Sequence, residues 1–170
     1  LKGVFRLPYA NTLSAGLEWR YDWLKAPIRV VDGKASDHTE AVYVQDEFNL
    51  LDPLQLTAGL RLDRNARFGF KLTPKISAML SLGDFRLRAA WSRGFKAPSP
   101  KELFYRYVRE MAGTHLYLGN TALKPQTSDY FSLGGEYLAS NGLSLSVTGY
   151  YNLLDHMITL VTIPTNQAPG

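Results

Sequence analysis

The side chains best able to act near neutral pH are three histidines, His38, His115 and His156, in a chain of 170 residues without a cysteine. Neither a disulfide nor a thiolate metal site is therefore available. Asp155 beside His156 has the makings of an acid–base pair. No nucleophile or third orienting group accompanies it, so hydrolysis is not expected there. Asp37 and His38 stand in a polar stretch and read as solvated. His115 differs in its company: Tyr105, Tyr107 and Tyr117 offer ring faces, and Arg106 and Arg109 offer guanidinium forks for carboxylates. No catalytic residue, no resident metal and no tightly bound cofactor is expected.

A second group is basic. Arg61, Lys71, Lys75, Arg86 and Arg88 share the polar faces of three consecutive strand-like runs. Such a face draws anions, but buried charge is better satisfied by pairing, here with Asp63, Glu47 and Glu136. The net charge is only +4 and the basic residues are dispersed, which argues against a nucleic-acid partner.

The elements that carry these residues are written in period two. Leu54, Leu56, Ala58, Leu60 and Leu62 alternate with Gln55, Thr57, Gly59, Arg61 and Asp63, and similar runs recur along the chain. Seven strands are predicted, at 12–24, 39–50, 54–64, 68–82, 85–95, 128–138 and 143–154. Most are long for a globular strand and long enough for a tilted bilayer crossing. Short turns at 51–53, 83–84 and 139–142 oppose connections at 25–38, 65–67 and 96–127, two of them long. Trp19, Tyr21, Trp23, Trp91 and Tyr151 fall toward the long-loop ends of the apolar faces, as an interfacial girdle would. No apolar run approaches a membrane helix in length and no signal peptide opens the chain, but a membrane barrel needs no such run. The expected fold is all-β: an antiparallel up-and-down meander, part of an outer-membrane β-barrel. A soluble β-sandwich predicts the same alternation with the apolar face inside.

The long connection begins with a corner. The alternation stops at Pro98, which cannot donate to a ladder. Ser99 is then a good N-cap, Pro100 suits the first helical position, and Glu102 closes a capping box. Phe104, Tyr107, Val108 and Met111 fall on one helical stripe and Gly113 can end it, so a short loop helix is predicted over 100–112.

These residues carry a resemblance. "WSRGFKAP", with Arg93, Gly94, Phe95, Ala97 and Pro98, is followed by "GNTALKPQTS", with Asn120, Leu123 and Pro125. Together they resemble the paired signature in the C-terminal half of TonB-dependent outer-membrane receptors, with Gln126 where glutamate is commoner. "VYVQDEFNLLDPLQLTAGLRLD", residues 42–63, resembles the family's strand–turn–strand unit. The resemblance implies a barrel of about 22 strands, plugged by a separate N-terminal domain. Its function would be uptake of an iron chelate, siderophore or haem, driven through TonB. Residues 1–170 would then be one stretch of that barrel, without the plug, in the outer membrane of a bacterium.

In haem-uptake members a histidine between the two motifs captures the ligand, and His115 occupies that interval, so the resemblance implies the candidate binding residues His115, Tyr105, Tyr117 and Arg109. Neutral imidazole is a good axial ligand for haem iron. Two other classes stay in view. An outer-membrane enzyme would need a catalytic cluster at the rim, and a soluble binding module would bury its apolar face. A lone piece of barrel should expose that face and two strand edges to self-association.

Overall fold

The computed structural model describes residues 1–8, 11–30, 32–110 and 114–163, without the side chains of residues 109, 110 and 114. Eight strands form one antiparallel sheet, paired in this order: β1 (Lys2–Leu7), β2 (Asn11–Lys25), β3 (Lys34–Leu51), β4 (Leu54–Asn65), β5 (Gly69–Leu82), β6 (Phe85–Lys96), β9 (Gln126–Leu138) and β10 (Ser144–Asp155). Between β6 and β9 the chain makes a one-turn helix α1 (Pro100–Phe104) and a separate hairpin, β7 (Arg106–Glu110) with β8 (Thr114–Leu118). The seven predicted strands are all present, and β1 is an eighth. Its six residues, KGVFRL, are too few for alternation to stand out. The expected connection at 25–38 shortens to residues 26–33, because β2 and β3 stay paired as far as Lys25 and Lys34.

Turn chemistry sorts the connections by side. Leu51 pairs with Leu54 across Asp52 and Pro53, and Leu82 pairs with Phe85 across Gly83 and Asp84. Gly83 has φ 57°, a conformation that glycine adopts without strain in a two-residue hairpin. Those turns and residues 139–143 lie at one end of the sheet. The described residues of the connections after β2, β4 and β6 lie at the other.

The two faces differ as the alternation requires. One face carries Leu17, Val42, Leu60, Leu87, Leu133 and Val147, and they remain exposed: Leu133 is 67% and Val147 79% accessible. Among the described residues no second sheet covers them, and the buried hydrophobic residues are only Val30, Ala41 and Leu103. A sandwich would bury this face, so the apolar side is the outer one. The other face holds ion pairs. Arg61 bonds Asp63 at 2.9 Å and Glu18 at 3.0 Å, and Arg88 and Arg86 converge on Glu136 at 3.2 and 3.8 Å. Pairing with Asp63 and Glu136 is as expected. Glu47, however, accepts from Gln45 rather than from a cation, and Lys71 and Lys75 enter none of the ion pairs of the described residues.

One seam interrupts the sheet. The β5–β6 ladder ends at Lys75 and Ser92, although both strands continue past it. Pro74 is the next residue of β5. It stays in register with Leu60 of β4, but it has no N–H to donate to a ladder, so a pairing carried on toward β6 at this position would lack its donor. Beyond it a hollow of about 350 Å³ opens, lined by Arg61, Thr73, Arg93 and Lys96.

Asp37 corrects another expectation. It is not a solvated loop residue but a buried one in β3, 6% accessible, because the Asn65 side chain donates to its Oδ2 at 2.7 Å. His38 lies in the same strand rather than in a loop.

Candidate functional site

The first motif builds the corner. Asp129 of β9 accepts from Trp91 Nε1 at 3.2 Å and from Arg93 Nη2 at 2.8 Å, which clamps β6 to β9. Gly94 and Phe95 continue the pairing opposite Ser128 and Thr127. Ala97 then leads out of the strand, and Pro98 is fully buried.

Helix α1 starts as its sequence dictates. The Ser99 hydroxyl accepts from Glu102 N, and the Glu102 carboxylate accepts from Ser99 N at 2.7 Å. Lys96 Nζ closes on the same carboxylate at 2.9 Å. Partial burial pushes the Glu102 carboxyl upward, but the bonds from Lys96 and Ser99 outweigh it and leave it below its ordinary value.

The predicted helix over 100–112 is too long. It ends at Phe104, because Tyr105 turns extended at ψ 134° and its backbone bridges Val30 of the 26–33 connection. Residues 106–110 then pair as a strand with 114–118. Tyr105 and Tyr107 alternating with Arg106 and Val108 fit a two-sided ribbon as well as a helical stripe, and pairing partners decide between them. Met111 and Gly113, the other members of the expected helix, lie outside the described residues.

The second motif locks the arm down. Gly119 N donates to Tyr105 O at 2.6 Å and Asn120 N to Glu102 O at 2.9 Å. A Cβ on Gly119 would come within 2.7 Å of the Leu103 backbone, so this approach requires glycine. The Asn120 side chain accepts from Ala122 N at 2.9 Å and shapes the turn that precedes Leu123 and Pro125. The signature residues thus build the rim, and other side chains give it its surface.

What the rim displays is aromatic and cationic. Tyr107 faces Tyr117 across the arm with ring centroids 6.5 Å apart, and Tyr105 lies 6.2 Å from Tyr107. The Arg29 guanidinium lies 4.4 Å over the Tyr107 ring, and its Nη1 reaches the Tyr105 hydroxyl at 3.5 Å. Arg106 N bonds Arg29 O at 2.7 Å, holding the two connections together. The structure places Tyr105 and Tyr117 each beside Tyr107. His115 is exposed, two residues from Tyr117, and its backbone pairs with Arg109, whose side chain lies outside the described ones. Arg29 is the member that sequence reasoning misses. Nothing in "APIRV" marks it, since its role comes from the distant Tyr107. His156 follows β10, remote in sequence from these residues.

An antiparallel wall, greasy outside and ion-paired inside, with a rim of structured connections, defines an outer-membrane β-barrel. The chain belongs to the TonB-dependent receptor β-barrel family, whose profile matches residues 2–170. It is 30% identical over 160 residues to the iron-regulated outer membrane virulence protein of Vibrio cholerae, covering 92% of this chain and 24% of that protein. It is 29% identical over 170 residues to the ferric enterobactin receptor PirA of Pseudomonas aeruginosa, covering 81% of this chain and 23% of that one. The crystal structure of the siderophore receptor PirA from P. aeruginosa superposes with TM-score 0.80 at 28% identity, over 89% of this chain and 30% of that one. The chain thus spans about a quarter of the length of the curated relatives it matches.

Proposed function

We propose that this chain supplies wall and rim to a TonB-dependent receptor that takes up a ferric siderophore across the bacterial outer membrane. The carrying observation is the rim stack, Arg29 over Tyr107 with Tyr105 and Tyr117 beside it. It offers flat faces and fixed positive charge to an anionic chelate with aromatic groups. Relatives named as ferric enterobactin receptors support the same class of cargo. The energy would come through TonB, engaged by a plug-bearing N-terminal part that residues 1–170 do not include, and lipid would surround the apolar face. No catalytic role is assigned, and the chelate is cargo rather than cofactor.

His115, exposed on the same arm, favours haem as the second reading. One experiment separates them: iron-limited uptake by a receptor-null strain carrying the full receptor. Arg29→Ala should weaken ferric-siderophore uptake about two- to fivefold, the value of one exposed cation–π contact of about 0.5–1 kcal/mol, while His115→Ala leaves it intact. Uptake of haem that disappears with His115→Ala, alongside indifference to Arg29→Ala, would overturn the siderophore assignment.

A further inference from the structure

We infer that Asp22 and Asp37, directly opposite each other across the β2–β3 hairpin, hold a calcium ion between them. Alternation puts both on the face of Glu18 and Thr39. Like charges so placed repel. Asp37 is 6% accessible. The Asn65 side chain donates to its Oδ2 at 2.7 Å from the β4 side. Its Oδ1 is buried and accepts no hydrogen bond from the described residues. The two oxygens of a carboxylate point apart. With Oδ2 turned to β4, Oδ1 turns away from it, and the strand on that other side of β3 is β2, which carries Asp22. One neutral amide is too little support for a buried carboxylate.

The described cations around the pair are already engaged. Arg20 Nε holds Asp22 Oδ2 at 3.0 Å and forms no ion pair with Asp37. Arg61 is held by Asp63 and Glu18. Arg67 lies 4.8 Å over the Phe104 ring and donates to Ser36 O at 3.4 Å. Helix α1 packs against β2 and β3, but its Lys101 lies over the Tyr105 ring at 5.3 Å. Calcium bonds carboxylate oxygens at about 2.3–2.6 Å, so two of them stand up to about 5 Å apart across it. Directly opposite residues offer that spacing. Magnesium draws oxygens in to about 2.1 Å and keeps its waters, which suits a half-buried pair less well. The Asp22 side chain is 47% exposed, which gives the ion its way in and lets water complete the shell. No cluster of three or more acidic or imidazole groups occurs among the described residues. Two carboxylates place the affinity with extracellular calcium modules, a Kd of about 10⁻⁴–10⁻³ M. Neither carboxylate bonds a residue of the rim stack, so the site is independent of the cargo.

The test is hydrogen exchange of residues 20–24 and 35–39 in the full receptor in detergent, measured in calcium and in chelator. At a calcium concentration ten times its Kd, protection should rise about tenfold over chelator. Magnesium at the same concentration should raise it far less. Asp22→Asn changes a half-exposed side chain and leaves the backbone ladder alone, so protection in chelator should match the parent while the calcium response disappears. Terbium luminescence, displaced by calcium, reads occupancy without reference to hairpin stability, and it should fall in Asp22→Asn. Equal protection of the parent in calcium and in chelator would overturn the inference. So would a calcium response undiminished in Asp22→Asn, which would place the ion elsewhere, on lipid phosphates or another part of the receptor.

Discussion

The Asn65 side chain bonds with both ends of its amide. Its Nδ2 donates to Asp37 Oδ2 at 2.7 Å and Thr39 Oγ1 at 2.9 Å, while its Oδ1 accepts from Arg67 N and Phe68 N at 3.0 and 3.1 Å. The residue is 1% accessible. Asn65→Ala leaves a buried carboxylate and two turn amides without partners, each costing about 1–3 kcal/mol. The full receptor should therefore melt at a lower temperature, and the 66–68 turn should become cleavable by protease. An unchanged melting temperature together with an intact turn would refute that role. Part of this was legible, since Asn65 falls in the short connection expected at 65–67. The burial was not, because Asp37 and Thr39 reach Asn65 only through strand register.

At the scale of elements, the capping box over Ser99, Pro100 and Glu102 could be read directly, because capping is local. The end of α1 could not, because Val30 and Gly119, far away in the chain, decide where Tyr105 goes. The latch through Glu102 has a pH signature. Its carboxyl is depressed in the folded arm, so the stability it contributes is present above the ordinary carboxylate value of about 4.3 and is lost as pH falls through the lower folded one. Exchange protection of residues 99–105 should hold at about pH 6 and fall in acid below that ordinary value. Glu102→Gln should flatten the dependence. Acid-sensitive protection that persists in Glu102→Gln would assign the effect to another group.

Across the whole molecule, period two made the wall, its strand count but for β1, and its two chemistries visible from residue types alone. Which face was wet followed only from the exposure of Leu133 and Val147 among the described residues. Edges at β1 and β10 and an uncovered apolar face give the isolated chain a defined behaviour. In sedimentation it should appear as oligomers, or as a complex that takes up detergent. A monodisperse monomer in detergent-free buffer would contradict an uncovered outer face. The seam beyond Pro74 was hidden for the opposite reason: one proline is plain in the sequence, but which neighbour it deprives is a matter of pairing.

That seam makes the upper wall two panels rather than one. β1 to β5 form the first, and β6, β9 and β10 the second, with no ladder between them above Ser92. The arm grows from the second panel, yet its backbone is stitched to Arg29 and Val30, which belong to the first. It acts as a strap across an open zipper. A load on Tyr107 is carried to both panels at once, and cutting the strap at Val30 would let each panel lean by itself.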